Sequence, residues 1–513
     1  LTAVDERFDL RDLLDEERAP RLVKVLDQTK CIGCHACTTA CKSENLVPLG
    51  VTRTYVKAVE VGTFPQVRRS FQVTRCNQCE DAPCVAACPT GAMFRRPDGI
   101  VDFDRSICIG CKACMAACPY DAIFINPDDH TAEKCNFCSH RIDAGLEPAC
   151  VVVCPVEAIL VGDLNDPESR VAQVVNREPV IVRRPEKETR PKVFYKGAHQ
   201  STLDPLGARR PEGGLFMWSE QGAVSHQVTS GAPDGWNSSA AALLSYDVPH
   251  RAPWDWRVSL YTWTKGIAAG AYLVAAALAL AGALSWSDSL WLWSAPLIAL
   301  GMLAATGLVL VADLEHPERF WMIFARPQWR SWLVRGAFVI GAYGGMLALH
   351  LLGSLVGLRS VQEWLTLVGI PLAAAAAAYT GYLFAQAKAR DLWQSPLLPA
   401  HMLVQAALLG AAVLLPFGHA GDELGWILGG AALAHVLLAL GEISLTHPTA
   451  HAHLAVQELT RGRFAAPFWV GLVLAAVAIA APWVGAVAVA PALVGVLLYE
   501  HAYVQSGQAV PLA

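Results

Sequence analysis

The chain has 513 residues, a formal net charge of −5, and a composition that is 54% hydrophobic but only 17% charged. That balance is too apolar for an ordinary soluble enzyme of this length, and it offers no basic surface for a nucleic acid. The average hides a division: residues 1–257 are charged and cysteine-rich, whereas 258–510 are long apolar runs with short polar loops. The opening stretch, LTAVDERFDLRDLLDEER, lacks a basic n-region, an apolar h-region and a twin-arginine pair, so it is not read as a secretory signal. Residues 1–24 read instead as a charged amphipathic extension packing on the next domain or on a partner.

All 16 cysteines lie between Cys31 and Cys154, in four groups of four. CIGCHACTTAC supplies Cys31, Cys34, Cys37 and Cys41; CNQCEDAPCVAACP supplies Cys76, Cys79, Cys84 and Cys88. CIGCKACMAACP supplies Cys108, Cys111, Cys114 and Cys118, and the last group is Cys135, Cys138, Cys150 and Cys154. Zinc would want two separated Cys-x-x-Cys pairs around one tetrahedron. Disulfides at such spacing would close strained loops. Three thiols at short gaps with a distant fourth suit an iron–sulfur cube, the fourth cysteine of each run reaching the neighbouring cluster. On that logic Cys76, Cys79 and Cys84 join Cys118, and Cys108, Cys111 and Cys114 join Cys88. The outer groups then pair by elimination: Cys31, Cys34 and Cys37 with Cys154, and Cys135, Cys138 and Cys150 with Cys41. Four 4Fe-4S clusters would use every thiol.

This four-group pattern, with GDLNDPES (Gly162 to Ser169) and RPKVFY (Arg190 to Tyr195) after it, resembles the electron-transfer subunit of the dimethyl-sulfoxide-reductase and polysulfide-reductase families. The likeness covers about residues 25–197. Some relatives replace a ligand and change or lose a cluster; here every position is Cys.

From Ser259 onward eight stretches are long enough to cross about 30 Å of hydrocarbon as helices: 260–284, 290–312, 332–356, 362–386, 397–416, 424–445, 465–484 and 486–504. The expected fold is therefore an α+β ferredoxin-like double-dicluster domain (25–197), a linker (198–257) rich in Gly, Pro and Ser, and an all-α membrane domain of eight transmembrane helices (258–513). Loops on the side of the N-terminal domain hold Arg251, Arg257, Arg319, Arg326, Arg330, Lys388, Arg390, Arg461 and Arg463, against Arg359 alone opposite. The positive-inside rule then places the cluster domain in the cytoplasm, on an inner membrane.

DLEHPERFWMIFARPQWRSWLVRGAF (Asp313 to Phe338), YTGYLFAQAKARDLWQSPLLP (Tyr379 to Pro399) and KGIAAGAYL are similar to the polysulfide-reductase (NrfD) type of quinone-reacting membrane subunit. That resemblance implies menaquinone or ubiquinone as diffusible partner and no haem. Haem anchors use facing histidines, and His350, His401 and His435 are expected at different depths. Ionisable residues inside spans are functional candidates. Lys265, Asp313, Tyr379, Tyr382, His401 and Glu442 all fall toward the cluster-domain side, where a quinone needs hydrogen-bond donors and protons. Bland readings compete: Lys265 snorkelling to the interface, Asp313 pairing with a loop arginine, the tyrosines belonging to the aromatic belt.

No substrate chemistry is evident, so a catalytic subunit is expected, a molybdenum or tungsten bis-pterin enzyme by family resemblance. The chain would be its electron-transfer and membrane-anchor subunit. A NiFe hydrogenase partner, a redox-driven ion pump, and a passive anchor feeding a soluble carrier are the competing readings.

Overall fold

The computed structural model describes residues 20–63, 65–209, 242–418 and 420–513. Most of the 1–24 extension and the middle of the 198–257 segment lie outside the described residues. The chain forms two compact units: a cysteine-rich one reaching Arg251, and one of Ala252–Val510 together with Cys111–Ala117.

In the first unit, alternation of Val and Leu builds β1 (Leu22–Asp27), whose Val23, Val25 and Leu26 are buried. It pairs parallel with β10 (Val193–Lys196) and antiparallel with β8 (Ile159–Asp163), and β9 (Val180–Ile181) completes the order β8-β1-β10-β9. RPKVFY thus supplies a central strand next to β1. A long hairpin, β2 (Thr54–Thr63) with β3 (Gln66–Arg75), takes β11 (Leu243–Tyr246) as a third strand. So residues 242–251, read from sequence as linker, are stitched into this unit. His250 adds an ion pair to Asp121 at 2.5 Å and one to Asp247 at 3.2 Å. Burial disfavours its charge, but the carboxylates of Asp247 and Asp121 outweigh that and raise the imidazole to about 10.

Two small hairpins, β4 (Met93–Arg95) with β5 (Val101–Phe103) and β6 (Ile123–Ile125) with β7 (Ala132–Lys134), carry the doubled ferredoxin pattern. Each cysteine group contributes one short helix: α1 (Ala36–Glu44), α2 (Pro83–Ala87), α3 (Ala113–Ala117) and α4 (Ala149–Val152).

The second unit is helical. Asp255 caps α5 (Trp256–Leu280) by accepting from the Arg257 amide at 2.8 Å. Then follow α6 (Ala295–Ala312), α7 (Trp332–Val356), α8 (Arg359–Gln386), α9 (Leu398–Leu414), α10 (Gly421–Ser444), α11 (Ala450–Thr460), α12 (Ala465–Val477) and α13 (Val489–Gly507). Seven segments among the described residues are long and apolar enough to cross a membrane, against eight expected. The difference is the last pair, which forms one 43-residue segment, Ala465–Gly507. A straight helix of that length would run about 65 Å, twice the hydrocarbon thickness. It breaks instead at Gly485 (φ 58°), and its arms α12 and α13 run antiparallel. Phe464 meets His501, Phe468 meets Tyr499, and Gly471 lies against Gly495.

α5 is the central helix, packed on α6, α8, α9 and α13. Its tightest crossing is with α9, where Gly270 and Gly410 let the two backbones touch: a Cβ on Gly410 would lie 2.1 Å from the Gly270 carbonyl carbon. Small residues allow such approach where lipid gives no hydrophobic drive between helices. Gly410→Ala must force the helices apart, a cost of about 3 kcal/mol. The expected result is a sharp fall in yield and thermal midpoint of the detergent-purified protein; an unchanged midpoint would contradict this packing.

Candidate metal centres and membrane site

The cysteine loops share one backbone device. The residue two after the first cysteine of each group has a left-handed conformation: Gly33 (φ 70°), Gln78 (47°), Gly110 (69°) and Phe137 (65°). A left-handed residue there curls the loop around the sulfur and turns amides toward it; the Gln78 amide donates to Cys76 Sγ at 3.4 Å. Glycine adopts this at no steric cost, whereas Gln78 and Phe137 are strained. Gln78 is held by its side chain, which donates to the Val101 and Cys135 carbonyls (3.2 and 2.7 Å) and accepts from the Val101 amide (2.7 Å). More amides point at sulfur from Met93 to Cys88 (3.3 Å), Ala132 to Cys108 (3.5 Å) and Ala158 to Cys154 (3.2 Å).

None of the sixteen cysteines is in a disulfide, and most of them are buried. They face one another across groups. Burial, opposed by Arg75, and the charges of Cys150, Cys31 and Cys154 set Cys37 up at about 11. Cys31 is raised by burial and by Cys154 and Cys34. For Cys41 burial comes first, then Cys135, Cys150 and Cys138, pushing it up to about 12. The Asn45 amide nitrogen touches both Cys41 Sγ (3.7 Å) and Cys138 Sγ (3.6 Å), linking the first group to the last directly. Cys79 is likewise pushed up to about 12 by burial and by Cys76 and Cys118. Cys84 is raised by burial and the same neighbours, with Lys134 opposing. Thiols packed this closely resist ionising together unless a cationic centre accepts them, and a coordinating metal deprotonates a thiol outright.

Buried cations complete the fit. Arg75 donates to Cys150 Sγ at 3.1 Å, and Lys24 reaches the same sulfur at 3.8 Å while lying over the Phe137 ring. Burial works to raise Cys150, but Arg75 and Lys24 win and bring it down to about 7. Arg75 is fully buried, yet its Nε and Nη2 have no partner among the described residues. An unsatisfied buried guanidinium beside thiolates fits a nearby anionic cluster. An Arg75→Gln variant removes a positive charge that favours the more negative, reduced state. If Cys41, Cys135, Cys138 and Cys150 hold one cluster, as the sequence leads one to expect, its potential should drop by roughly 50–100 mV in a redox titration, the equivalent of one charged hydrogen bond. A rise, or no change in any cluster, would contradict this placement.

In the helical unit, Lys265 sits about 14 Å along α5 and points inward, not to the interface. It is 2% exposed. Its ammonium donates to the Ala377 carbonyl at 2.9 Å and to Thr380 Oγ1, and lies 4.5 Å over the Tyr379 ring. Glu500 on α13 is also buried and acts on it through space, and Thr262 and Gln405 hydrogen-bond to the Glu500 carboxylate. Tyr261 sees Tyr379, Asp313 and Glu500 together. Asp313, just after α6, pairs with Lys112 at 3.6 Å rather than with an arginine, and burial pushes its carboxyl up to about 6 against that pull.

Two expectations change. Tyr382 is 45% exposed and stacks on Trp332, away from the buried set. His401 and His435 do pair: His401 Nε2 lies 2.8 Å from His435 Nδ1. Counting residues from the helix ends put them at different depths, but α9 and α10 cross so that the rings meet, with Tyr499 against both. Glu442 belongs with this group through Tyr503, whose hydroxyl is 3.1 Å from its carboxylate. Sequence reasoning missed Glu500, although an acid inside the 486–504 run was the signal for it. Tyr499, Tyr503, Gln405 and Thr380 carry no such mark.

Thiols gathered by turns and short helices, together with apolar spans around buried ionisable groups, define a multi-pass membrane protein with an iron–sulfur electron-transfer domain. A 4Fe-4S dicluster domain family matches residues 67–164, and the polysulphide reductase, NrfD, family matches residues 247–498. The tetrathionate reductase B component of Salmonella typhimurium is 43% identical over 208 residues, 39% of this chain and 80% of that one. The polysulfide reductase B component of Wolinella succinogenes is 43% identical over 171 residues (33% and 90%). The arsenate respiratory reductase iron–sulfur subunit ArrB of a Shewanella species is 38% identical over 223 residues (34% and 95%). The present protein belongs to this family of iron–sulfur reductase subunits, fused here to an NrfD membrane domain.

Proposed function

We propose that the chain is the electron-transfer and membrane-anchor subunit of a respiratory oxidoreductase, linking a molybdenum or tungsten pterin catalytic subunit to membrane quinone. When bound, four 4Fe-4S clusters would supply one-electron carriers. The sixteen cysteines hold them in crossed sets, and Arg75, Lys24 and Lys134 balance the charge. Lys265, with Tyr379, Thr380 and Glu500 around it, offers a quinone carbonyl a cationic donor in a site shielded from water. The observation that carries this reading is one polypeptide joining a thiol-lined domain to a lysine and a glutamate both buried among membrane spans. The relatives named as tetrathionate, polysulfide and arsenate reductase subunits support a catalytic partner of that kind. Loop arginines support a cytoplasmic position for the iron–sulfur domain, and a cytoplasmic site favours formate or sulfite oxidation with quinone reduction.

The test is metal analysis of the intact complex purified in mild detergent. About sixteen Fe per chain with Mo or W and a pterin-bearing partner is the expected result. Nickel would replace that partner with a hydrogenase, and iron alone with no large partner would overturn the reading.

A further inference from the structure

Reduction of a quinone takes two electrons and two protons and forms two O–H bonds. With electrons supplied by the clusters, the protons must reach a site that the helices close off. Lys265 and Glu500 are buried, so a separate route from the surface of the helical unit is needed.

Resting on the quinone reading above, we propose that Glu442, Tyr503, Tyr499 and the His435–His401 pair form the proton-uptake line that serves Glu500 and Lys265. Glu442 lies in the last turn of α10, half-buried, beside exposed Ser444, the helix's last residue, and exposed Leu445 just after it. It is where the buried polar set meets the surface. Its carboxylate accepts from Tyr503 at 3.1 Å, and Ser395 also faces it. One turn earlier on α13, Tyr499 stacks on Tyr503 with ring centroids 5.9 Å apart. Tyr499 immediately precedes Glu500 on α13, and its ring lies between Tyr503 and the histidines. Its ring also packs at 4.7 Å on His435 and 5.4 Å on His401.

The histidine pair gives the line its chemistry. A hydrogen bond between two imidazoles lets one take a proton as the other releases one. His435 is fully buried, and its Nε2 has no partner among the described residues. An unsatisfied nitrogen at that depth is costly unless water or a transient proton uses it. From His401 the line continues along α9: Gln405, one turn on, is turned to Glu500, and Glu500 faces Lys265. A purely structural hydrogen-bond network would close on itself at His435.

The experiment uses the full chain in lipid nanodiscs, its clusters pre-reduced with dithionite, the excess dithionite removed, and the protein then mixed anaerobically with menadione. Glu442→Gln and Tyr503→Phe should each slow quinol formation by about 100-fold, while iron content and cluster spectra stay unchanged. Glu442→Asp should retain most of the rate, and a small weak acid such as azide should restore much of it in Glu442→Gln. The slowed variants should show an enlarged solvent deuterium isotope effect. Wild-type rates in both slowed variants would overturn the line, as would losses that neither azide nor Glu442→Asp recovers. If the unmodified chain fails to reduce menadione, the quinone reading itself falls, a separate outcome from failure of the line.

Discussion

Lys265→Met is expected to reduce quinone turnover by about 100-fold or more and to leave cluster assembly intact. Methionine fills the volume of the lysine stem, so the packing of α5 on α8 and α9 survives. What disappears is a buried cationic donor set among a tyrosine ring, a threonine hydroxyl and a backbone carbonyl. Glu500 then loses its counter-charge and takes up a proton rather than remain a buried anion. Tyr382→Phe is the matching control, because that ring lies on the exposed face against Trp332, and its rate should stay within about twofold of the unmodified chain. Stopped-flow mixing of pre-reduced protein with a quinone analogue checks both. Equal rates in Lys265→Met and the unmodified chain would mean that electrons leave by another exit, as a passive anchor would require.

Cys41→Ala should remove one cluster or convert it to a 3Fe form, lowering iron from about sixteen per chain to about twelve or about fifteen respectively. The decisive comparison is between double variants. Crossed pairing puts Cys41 with Cys135, Cys138 and Cys150, so Cys41→Ala and Cys138→Ala should damage the same cluster and lose no more iron together than alone. Cys41→Ala with Cys34→Ala should lose about twice as much, because Cys34 serves a different set. The contact of the Asn45 amide with both Cys41 and Cys138 is the geometric reason for expecting this order. The reverse pattern, non-additive with Cys34 and additive with Cys138, would mean that each group holds its own cluster.

The cysteine chemistry was legible because ligand spacing is a local property written in a few residues. So were the apolar spans, down to the 465–484 and 486–504 runs, whose joining break at Gly485 has no strong turn signature. What sequence could not supply was helix-to-helix register. Counting from helix ends separated His401 from His435, yet the crossing of α9 and α10 brings them to 2.8 Å. Helical position also says nothing of which face is covered, so Tyr379 and Tyr382, three residues apart on α8, looked equivalent although one is buried under Lys265 and the other exposed. The buried cations Arg75 and Lys24 stand in strand text where alternation would put apolar residues, and only the fold brings both to Cys150.

The central claim is that electrons move between thiol-bound clusters and a quinone within this one chain. The most direct measurement is a single-turnover experiment on the full chain in nanodiscs, with clusters reduced, excess reductant removed and menadione added anaerobically. The account predicts that the clusters reoxidise as quinol forms, one quinol per electron pair, with both signals slowed together in Lys265→Met. Clusters that stay reduced in the presence of quinone, or that reoxidise equally fast without Lys265, would contradict it.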